Sequence, residues 1–361
     1  MVRMPSPEQQ ARFFTNLQLL LTEGKFVSTY KFALLIALVR WAIENPDYDE
    51  NEPLNVAELA PHFAELYWPQ VMPFASGRKQ RPLDASASAE REWDGVLVQN
   101  QVGPVLNVFK AIATEQQEGR EDLLSLPVVK RRDLLAKVQA SIATEPLWKL
   151  HTIAGREMQF LYRRGDGKRW IRFEPGIVAC LVNFALLVED AVRSAWLRFV
   201  LRCNPLVLGA ACQVEEFLFP AGRNGLVAWR DALLDVSGPR CFYCEREIQS
   251  DPDVDHFLPW SRYPRDLGHN FVLAHADCNQ RKKNHLASCD HLERWHRRND
   301  DLGPQLVQRF EASRLPHDWL TLRRVASSLY HMAANANASV WQAGNKLVPL
   351  SAEWRRILGC A

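Results

Sequence analysis

The order of hydrophobic and polar positions predicts helices over most of the chain. Between residues 8 and 45, apolar side chains recur at three- and four-residue spacing, as at Phe13 and Leu17, which is typical of amphipathic helices. Pro46 ends this region, because the residue before a proline disfavours helical backbone. We therefore expect a helical domain over residues 1–155.

The pattern then changes to that of a β-hairpin. Two strand-like runs, Met158–Tyr162 and Trp170–Phe173, flank a turn rich in Gly and Asp. Residues 156–172 are basic, with a local net charge of +4. Aromatic side chains in such a hairpin are more typical of packing than of base stacking. Long apolar helices follow, and we expect residues 156–238 to continue the helical region.

Helical patterns return after residue 300, with the amphipathic stretch Trp319–Met332 as the clearest example. Residues 239–299 between these regions carry a dense group of Cys, His, Asp and Asn side chains. The preceding residues contain no Walker A or dinucleotide-binding motif. The predicted fold is mainly α, with a small separate module at 239–299 and a C-terminal helical extension at 300–361.

Composition narrows the class of protein. Hydrophobic residues make up 47% of the 361 residues and charged residues 24%, which excludes a disordered or collagen-like chain. The longest apolar run is too short to span a bilayer, and the N-terminus lacks a signal-peptide pattern, so we expect a soluble, cytoplasmic protein. The net charge of +2 does not by itself indicate a nucleic-acid partner, so local charge has to be considered.

The 8 cysteines are too few for a disulfide scaffold in a chain of this length, and some are better interpreted as metal ligands. Cys241 and Cys244 form a Cys-x2-Cys knuckle, and His275 and Cys278 repeat the spacing further on. Three sulfurs and one imidazole are a familiar ligand set for structural zinc. The alternative is that the cysteines are buried thiols and the histidine is incidental.

A second group of polar residues follows a strand–loop–strand–helix order. Asp255 and His256 end a short predicted strand, Asn270 precedes a second one, and Asn279 lies in a predicted helix. Three basic residues lie on or beside that helix: Arg281, Lys282 and Lys283. The pattern predicts a ββα unit held together by the zinc site. His269 and His291 are interpreted as surface residues.

Together these motifs resemble an HNH endonuclease domain of the zinc-knuckle type. The matching pieces are the Cys-x2-Cys knuckle, the Asp-His-x2-Pro run at Asp255–Pro259, the isolated Asn270 and the Cys-Asn-x2-Lys run at Cys278–Lys282. His275 stands where the family usually has Cys. The resemblance covers about 45 residues, roughly an eighth of the chain.

The resemblance implies a chemistry for these residues. A neutral His256 is the general base that takes a proton from water. Asp255 and Asn279 hold one divalent cation, Mg²⁺ or Mn²⁺, and Asn270 orients the base. The phosphate contacts are Lys282, with Lys283 or Arg281 as substitutes. Asn270 as a turn cap and Asn279 as a helix cap are the structural alternatives.

The resulting hypothesis is a metal-dependent endonuclease acting on DNA, regulated by its helical domain. Its architecture is reminiscent of bacterial restriction and anti-phage effectors. Two alternatives stay open: a zinc-stabilised nucleic-acid-binding module without catalysis, and a nuclease acting on RNA. Other partners considered are a second copy of the chain and a protein or ligand activator.

Overall fold

The computed structural model describes residues 4–74, 96–120, 122–165, 167–220 and 226–359. Helices dominate, which confirms the expected mainly α fold. The chain divides into two compact units. Of the described residues, the larger unit comprises those within 3–42 and 48–220, and the smaller comprises those within 43–47 and 221–361.

The larger unit is built mainly from helices. Its helices are α1 (Pro7–Glu23), α2 (Tyr30–Glu44, of which the last two residues group with the smaller unit), α3 (Ala60–Tyr67), α4 (Gly103–Gln117), α5 (Val128–Thr144), α6 (Pro146–Lys149), α7 (Ile177–Asn183), α8 (Ala185–Cys203) and α9 (Ala211–Leu218). Every residue of α2 is buried, so this helix lies in the core. Its Arg40 is paired at 3.0 Å with Glu189 of α8. Burial raises the pKa of Glu189, but Arg40 and Arg193 outweigh it and hold the pKa low, so the buried pair stays charged.

A hairpin is present in this region, but its first strand spans Tyr162–Arg164 where Met158–Tyr162 was predicted, and the sheet gains a third strand. The strands of this unit are β1 (Leu54–Asn55), β2 (Thr152–Ile153), β3 (Arg156–Glu157), β4 (Tyr162–Arg164) and β5 (Trp170–Phe173). The sheet has the order β1-β5-β4 and is antiparallel throughout, whereas β2 and β3 pair separately. Tyr162 and Phe173 oppose each other and are buried, so one face of the sheet covers the core.

The smaller unit contains the predicted ββα arrangement. Its elements are α10 (Leu226–Ser237), β6 (Asp253–His256), β7 (Phe271–Ala274), α11 (Ala276–Lys282), α12 (Cys289–Asp301), α13 (Gly303–Ala312), α14 (Trp319–Asn335), β8 (Ser339–Ala343), β9 (Lys346–Pro349) and α15 (Trp354–Leu358). β6 pairs with β7 in antiparallel register, with His256 opposite Phe271. All four residues of β7 are buried, and Trp229 of α10 packs against Phe271 at its start.

Two histidines expected on the surface lie in this core. His269 is 1% exposed and His291 is 6% exposed, so the surface interpretation was wrong for both. The carbonyl of His269 accepts a hydrogen bond from the indole of Trp295, and the ring of Trp295 stacks on Phe257 at 4.7 Å. These residues fasten α12 across the β6–β7 hairpin.

The C-terminal hairpin β8–β9 was not foreseen among the predicted C-terminal helices. Trp341 on β8 exchanges backbone hydrogen bonds with the segment after α11, donating to the Leu286 carbonyl at 2.8 Å and accepting from the Ser288 amide at 2.7 Å. Its ring lies against Tyr243 and stacks on His291. The hairpin is therefore part of the core that surrounds the cysteine knuckle.

Candidate functional site

The four predicted zinc ligands come together in one cluster. Cys241 and Cys244 lie in the turn before β6, His275 precedes α11, and Cys278 lies in its first turn. Their ligand atoms all lie within 4.8 Å of one another. Ligands at about 2.0–2.3 Å from one zinc ion sit at about 4 Å or less from each other, so the cluster fits a tetrahedral site.

The histidine of the cluster is oriented by a backbone contact. The His275 Nδ1 atom lies 3.3 Å from the Cys244 sulfur, whereas Nε2 lies 3.2 Å from the Glu247 carbonyl. A proton on Nε2 satisfies that carbonyl and leaves Nδ1 as the ligand atom, which is the usual outer-shell support of a metal-binding histidine.

The pKa values of two cysteines in the cluster are shifted by their surroundings. Burial raises the pKa of Cys244, but hydrogen bonds from the backbone and side chain of Arg246 outweigh it and lower that pKa to about 6. Burial and the neighbouring sulfurs of Cys241 and Cys244 raise the pKa of Cys278 to about 12. The crowded sulfurs therefore disfavour a thiolate at Cys278, and metal binding requires this cysteine to lose its proton.

Asp255 is held by two donors at the end of β6. Its Oδ2 atom accepts a hydrogen bond from the Tyr243 hydroxyl at 2.5 Å and lies 3.0 Å from the Lys282 ammonium. Burial, together with the adjacent carboxylate, raises the pKa of Tyr243 well above its ordinary value, so the phenol stays protonated and donates. Oδ2 is thereby fixed, and Oδ1 is left for another partner.

His256 follows Asp255 as the last residue of β6. Its Nε2 atom lies 2.7 Å from Oδ1 of Asp266 in the loop between β6 and β7. An Nε2–H that donates to Asp266 leaves Nδ1 as the ring nitrogen with a lone pair. Tyr263 and Arg265 of the same loop both donate to Glu44, at 2.8 and 2.6 Å, which anchors the loop beside the imidazole.

Asn270 is completely buried and braces this loop. Its side-chain oxygen accepts from the Leu258 amide at 2.7 Å, and its amide donates to the Leu258 carbonyl at 3.0 Å. The pair of bonds closes the loop directly after His256. The side chain is thus placed to orient the histidine from behind and not to touch a substrate.

Asn279 is brought to the same face of β6 as Asp255, through a residue between them. Its Nδ2 donates to Oδ2 of Asp253 at 3.0 Å, and Asp253 lies two positions before Asp255 on one face of the strand. This hydrogen bond directs Nδ2 of Asn279 to Asp253, and it leaves the side-chain oxygen of Asn279 as a further ligand atom. Two carboxylates and one amide oxygen are the hard donors that Mg²⁺ and Mn²⁺ prefer.

The three basic residues have different environments. Lys282 is fully buried and its ammonium binds Asp255 and, at 2.8 Å, the His256 carbonyl. It therefore links α11 to β6, in contrast to the expected phosphate contact. Burial lowers the pKa of Lys282, and Asp255 opposes this shift. Lys283 and Arg281 are exposed, Arg281 with an ion pair to Asp277 at 2.7 Å.

Sequence reasoning missed Tyr243 and Asp266, and it did not count Asp253 among the site residues. Tyr243 lies inside the Cys-x2-Cys knuckle, where the cysteines dominate the pattern. Asp266 lies in the loop between β6 and β7, outside each of the motifs quoted from the sequence. The alternation of Asp253 and Asp255 along a strand was the one available signal, since it puts both carboxylates on one face.

No helix in the described ranges is long and apolar enough to cross a membrane. The chain was compared with family models, curated proteins and solved structures. The family model described as HNH endonuclease matches residues 241–288, which contain the Cys/His cluster and the ββα hairpin. No curated protein and no solved structure matched. Residues 241–288 are therefore an HNH endonuclease domain, carried by a chain with a large helical region.

Proposed function

We propose that the chain hydrolyses phosphodiester bonds of DNA, with His256 as general base and a divalent cation held by Asp255 and Asn279. The observation that carries this proposal is the placement of Asp253, Asp255 and Asn279 on one face of the ββα hairpin, with His256 on the adjoining strand position. The Cys/His cluster is proposed to bind zinc in a structural role, because it offers four protein ligands and so leaves no open position on the metal.

The proposed base is prepared by its own neighbours. Asp266 binds Nε2 of His256, so the imidazole presents Nδ1 to an attacking water. Asp266 also stabilises the imidazolium formed when the proton is taken, as carboxylate partners of catalytic histidines do. Asn270 and Glu44 hold the two ends of the loop that carries Asp266, which keeps the pair aligned.

The proposed cation site uses atoms that the other contacts leave free. Asp255 contributes Oδ1 and Asn279 contributes its amide oxygen, with Asp253 beside them. When bound, Mg²⁺ or Mn²⁺ supplies charge stabilisation to the scissile phosphate and to the leaving 3′ oxygen. Lys282 neutralises Asp255 from the buried side and keeps its carboxylate turned toward the cation.

Contact with the phosphate backbone falls to the exposed residues of this surface. Lys283 ends α11, and Arg281 lies one turn from Asp277 on its outer side. Both can reach a polyanion from solvent, and such contacts position the backbone without reading sequence. Lys282 is assigned the inner role instead of a phosphate contact.

The wider role proposed for the chain is that of a cytoplasmic restriction or anti-phage effector whose helical region regulates the nuclease. This part rests on the pairing of a small nuclease domain with a large helical region, which is an argument by analogy. Magnesium as the physiological cation and DNA as the substrate belong to the same proposal.

The test is a nicking assay on supercoiled plasmid with Mg²⁺ and separately with Mn²⁺. We expect cleavage by the wild-type chain, and none by His256→Ala or Asp255→Asn. Asp235→Asn, a matched acid-to-amide change on α10, is the control and should cleave normally. Cleavage by His256→Ala at the wild-type rate would refute the assignment of the base.

The same preparation separates the alternatives. A non-catalytic zinc module predicts salt-sensitive nucleic-acid binding that His256→Ala leaves intact and no cleavage with either metal. A ribonuclease predicts cleavage of a structured RNA of the same length with the plasmid untouched. Parallel assays on plasmid and RNA therefore assign the substrate.

A further inference from the structure

The sheet β1-β5-β4 in the larger unit has an outer face that the nuclease proposal does not use. Along β5, Ile171 and Phe173 are buried, whereas Trp170 and Arg172 point outward. Trp170 is 39% exposed. The sheet therefore buries one face against the helices and presents an indole on the other.

The same face carries two arginines directly opposite each other. Arg163 on β4 pairs in register with Arg172 on β5, and both side chains are exposed. Like charges opposed across antiparallel strands destabilise the pair. Glu174 forms an ion pair with Arg163, and it supplies only one carboxylate for the two guanidinium groups.

The turn that joins β4 to β5 adds further positive charge. Lys168 and Arg169 are exposed there. Across the described residues, no ion pair is found for Lys168, Arg169 or Arg172. By contrast, Arg164 is turned inward, paired with Glu157 and stacked on Trp148 at 3.4 Å. The outer face thus combines unpaired cations with one exposed indole.

A partner that satisfies both features must be a polyanion with flat apolar faces. Phosphates neutralise the repulsion between the opposed arginines, and a nucleobase stacks on the exposed indole. We infer that this face, defined by Arg163, Lys168, Arg169, Trp170 and Arg172, binds a single-stranded segment of nucleic acid. Stacking on an aromatic ring needs an unpaired base, which favours a single strand over a duplex.

This inference rests on the proposed function, because the strand bound here is proposed to belong to the nucleic acid that the HNH domain cuts. It adds a binding site outside that domain. An acidic protein segment offers charge but no planar bases, so the exposed Trp170 favours nucleic acid over that class of partner. The sources that share the chemistry are DNA and RNA single strands.

The experiment measures fluorescence anisotropy of labelled (dT)20, U20 and a 20-base-pair duplex with the full chain carrying His256→Ala, which prevents cleavage. We expect tighter binding of a single strand than of the duplex. Trp170→Ala should weaken it about 5- to 150-fold, the range found when a stacked aromatic is removed. Arg172→Thr should lower the slope of log affinity against log salt concentration by about 0.7, the value for one phosphate contact on a single strand.

Two controls test whether the effect is local. Leu187→Ala removes an exposed apolar side chain on α8, and Arg132→Ala removes an exposed arginine on α5. Both should bind within twofold of the parent. Losses in the controls equal to those of Trp170→Ala and Arg172→Thr would overturn the proposal, as would tighter binding of the duplex. Displacement of (dT)20 by polyglutamate as readily as by unlabelled (dT)20 would assign the face to an acidic protein instead.

A stability measurement adds an independent readout. Relief of the opposed charges predicts that Arg172→Thr keeps or raises the melting temperature of the free protein while it weakens binding. Burial and the acids Glu58, Glu52 and Asp49 raise the pKa of Tyr48 whereas Arg172 lowers it, so Arg172 also has acidic groups near it in the folded protein. A lower melting temperature with unchanged affinity would make Arg172 a structural residue and overturn the proposal. Plasmid cleavage by the chain with native His256 is scored separately, so loss of nuclease activity and loss of this binding site are distinguishable.

Discussion

Replacing Asp266 by Asn tests whether the loop carboxylate prepares His256. The change keeps the shape of the side chain but removes its charge from the 2.7 Å contact with Nε2. A hydrogen bond to a charged group contributes about 1.5–3 kcal/mol. If that stabilisation is realised as the imidazolium forms, the cleavage rate should fall roughly 10- to 150-fold, since about 1.4 kcal/mol corresponds to a factor of ten.

The assay is single-turnover nicking of supercoiled plasmid, followed with Mn²⁺ at several pH values. The affinity for uncleaved plasmid should be unchanged, because Asp266 contacts the His256 imidazole and not the nucleic acid. Asp235→Asn serves as the matched control on α10 and should retain the wild-type rate. A rate for Asp266→Asn within threefold of wild type, alongside an inactive His256→Ala, would refute the argument that Asp266 acts through His256.

The remaining predictions concern stability. Cys278→Ser should lower the bound zinc measured by atomic absorption from about one per chain and lower the melting temperature, since structural zinc contributes folding free energy; an unchanged zinc content would contradict the site. Lys282→Met should lower the free energy of unfolding in urea by about 3 kcal/mol, because it leaves Asp255 without its buried cation. Combining it with Asp255→Asn should recover part of that loss. Strict additivity of the two changes would show that the residues are not coupled. Burial lowers the pKa of His269 to about 4, so its contribution to stability is complete above about pH 6.5 and falls as the pH drops toward 4, by up to about 3 kcal/mol. His269→Gln should show a weaker acid dependence of the melting temperature, and an identical dependence would exclude His269 as its source.

The parts of the fold that sequence could predict are those with local causes. The knuckle at Cys241 and Cys244 and the alternation in β6 depend on residues within a few positions of each other, and both are present in the structure. The long apolar helix expected after Pro175 is interrupted at Phe184, where α7 gives way to α8. Periodicity alone does not mark such a break, because apolar residues continue on both sides.

The parts that sequence could not predict depend on contacts between distant segments. Strand β1 joins β5 although more than a hundred positions separate them, and neither residue of β1 signals a strand by itself. Lys282 fits the motif equally well as a surface or as a buried residue. Its role as a buried partner of Asp255 follows only from the 3.0 Å contact in the folded structure. Asp266 is found through the 2.7 Å contact, which requires the loop conformation that Glu44 anchors.

The position of β8 has a consequence for the order in which the nuclease domain is made. Trp341 supplies one wall of the pocket around Tyr243, and Tyr243 in turn holds Asp255. A ribosome reaches Trp341 long after it has passed the cysteine knuckle, so the newly made knuckle lacks that wall for several seconds at ordinary rates of synthesis. We expect chains stalled before β8 to lack a fixed Asp255 and to be inactive, so that the host's own nucleic acid meets a competent nuclease only after the rest of the chain has been translated.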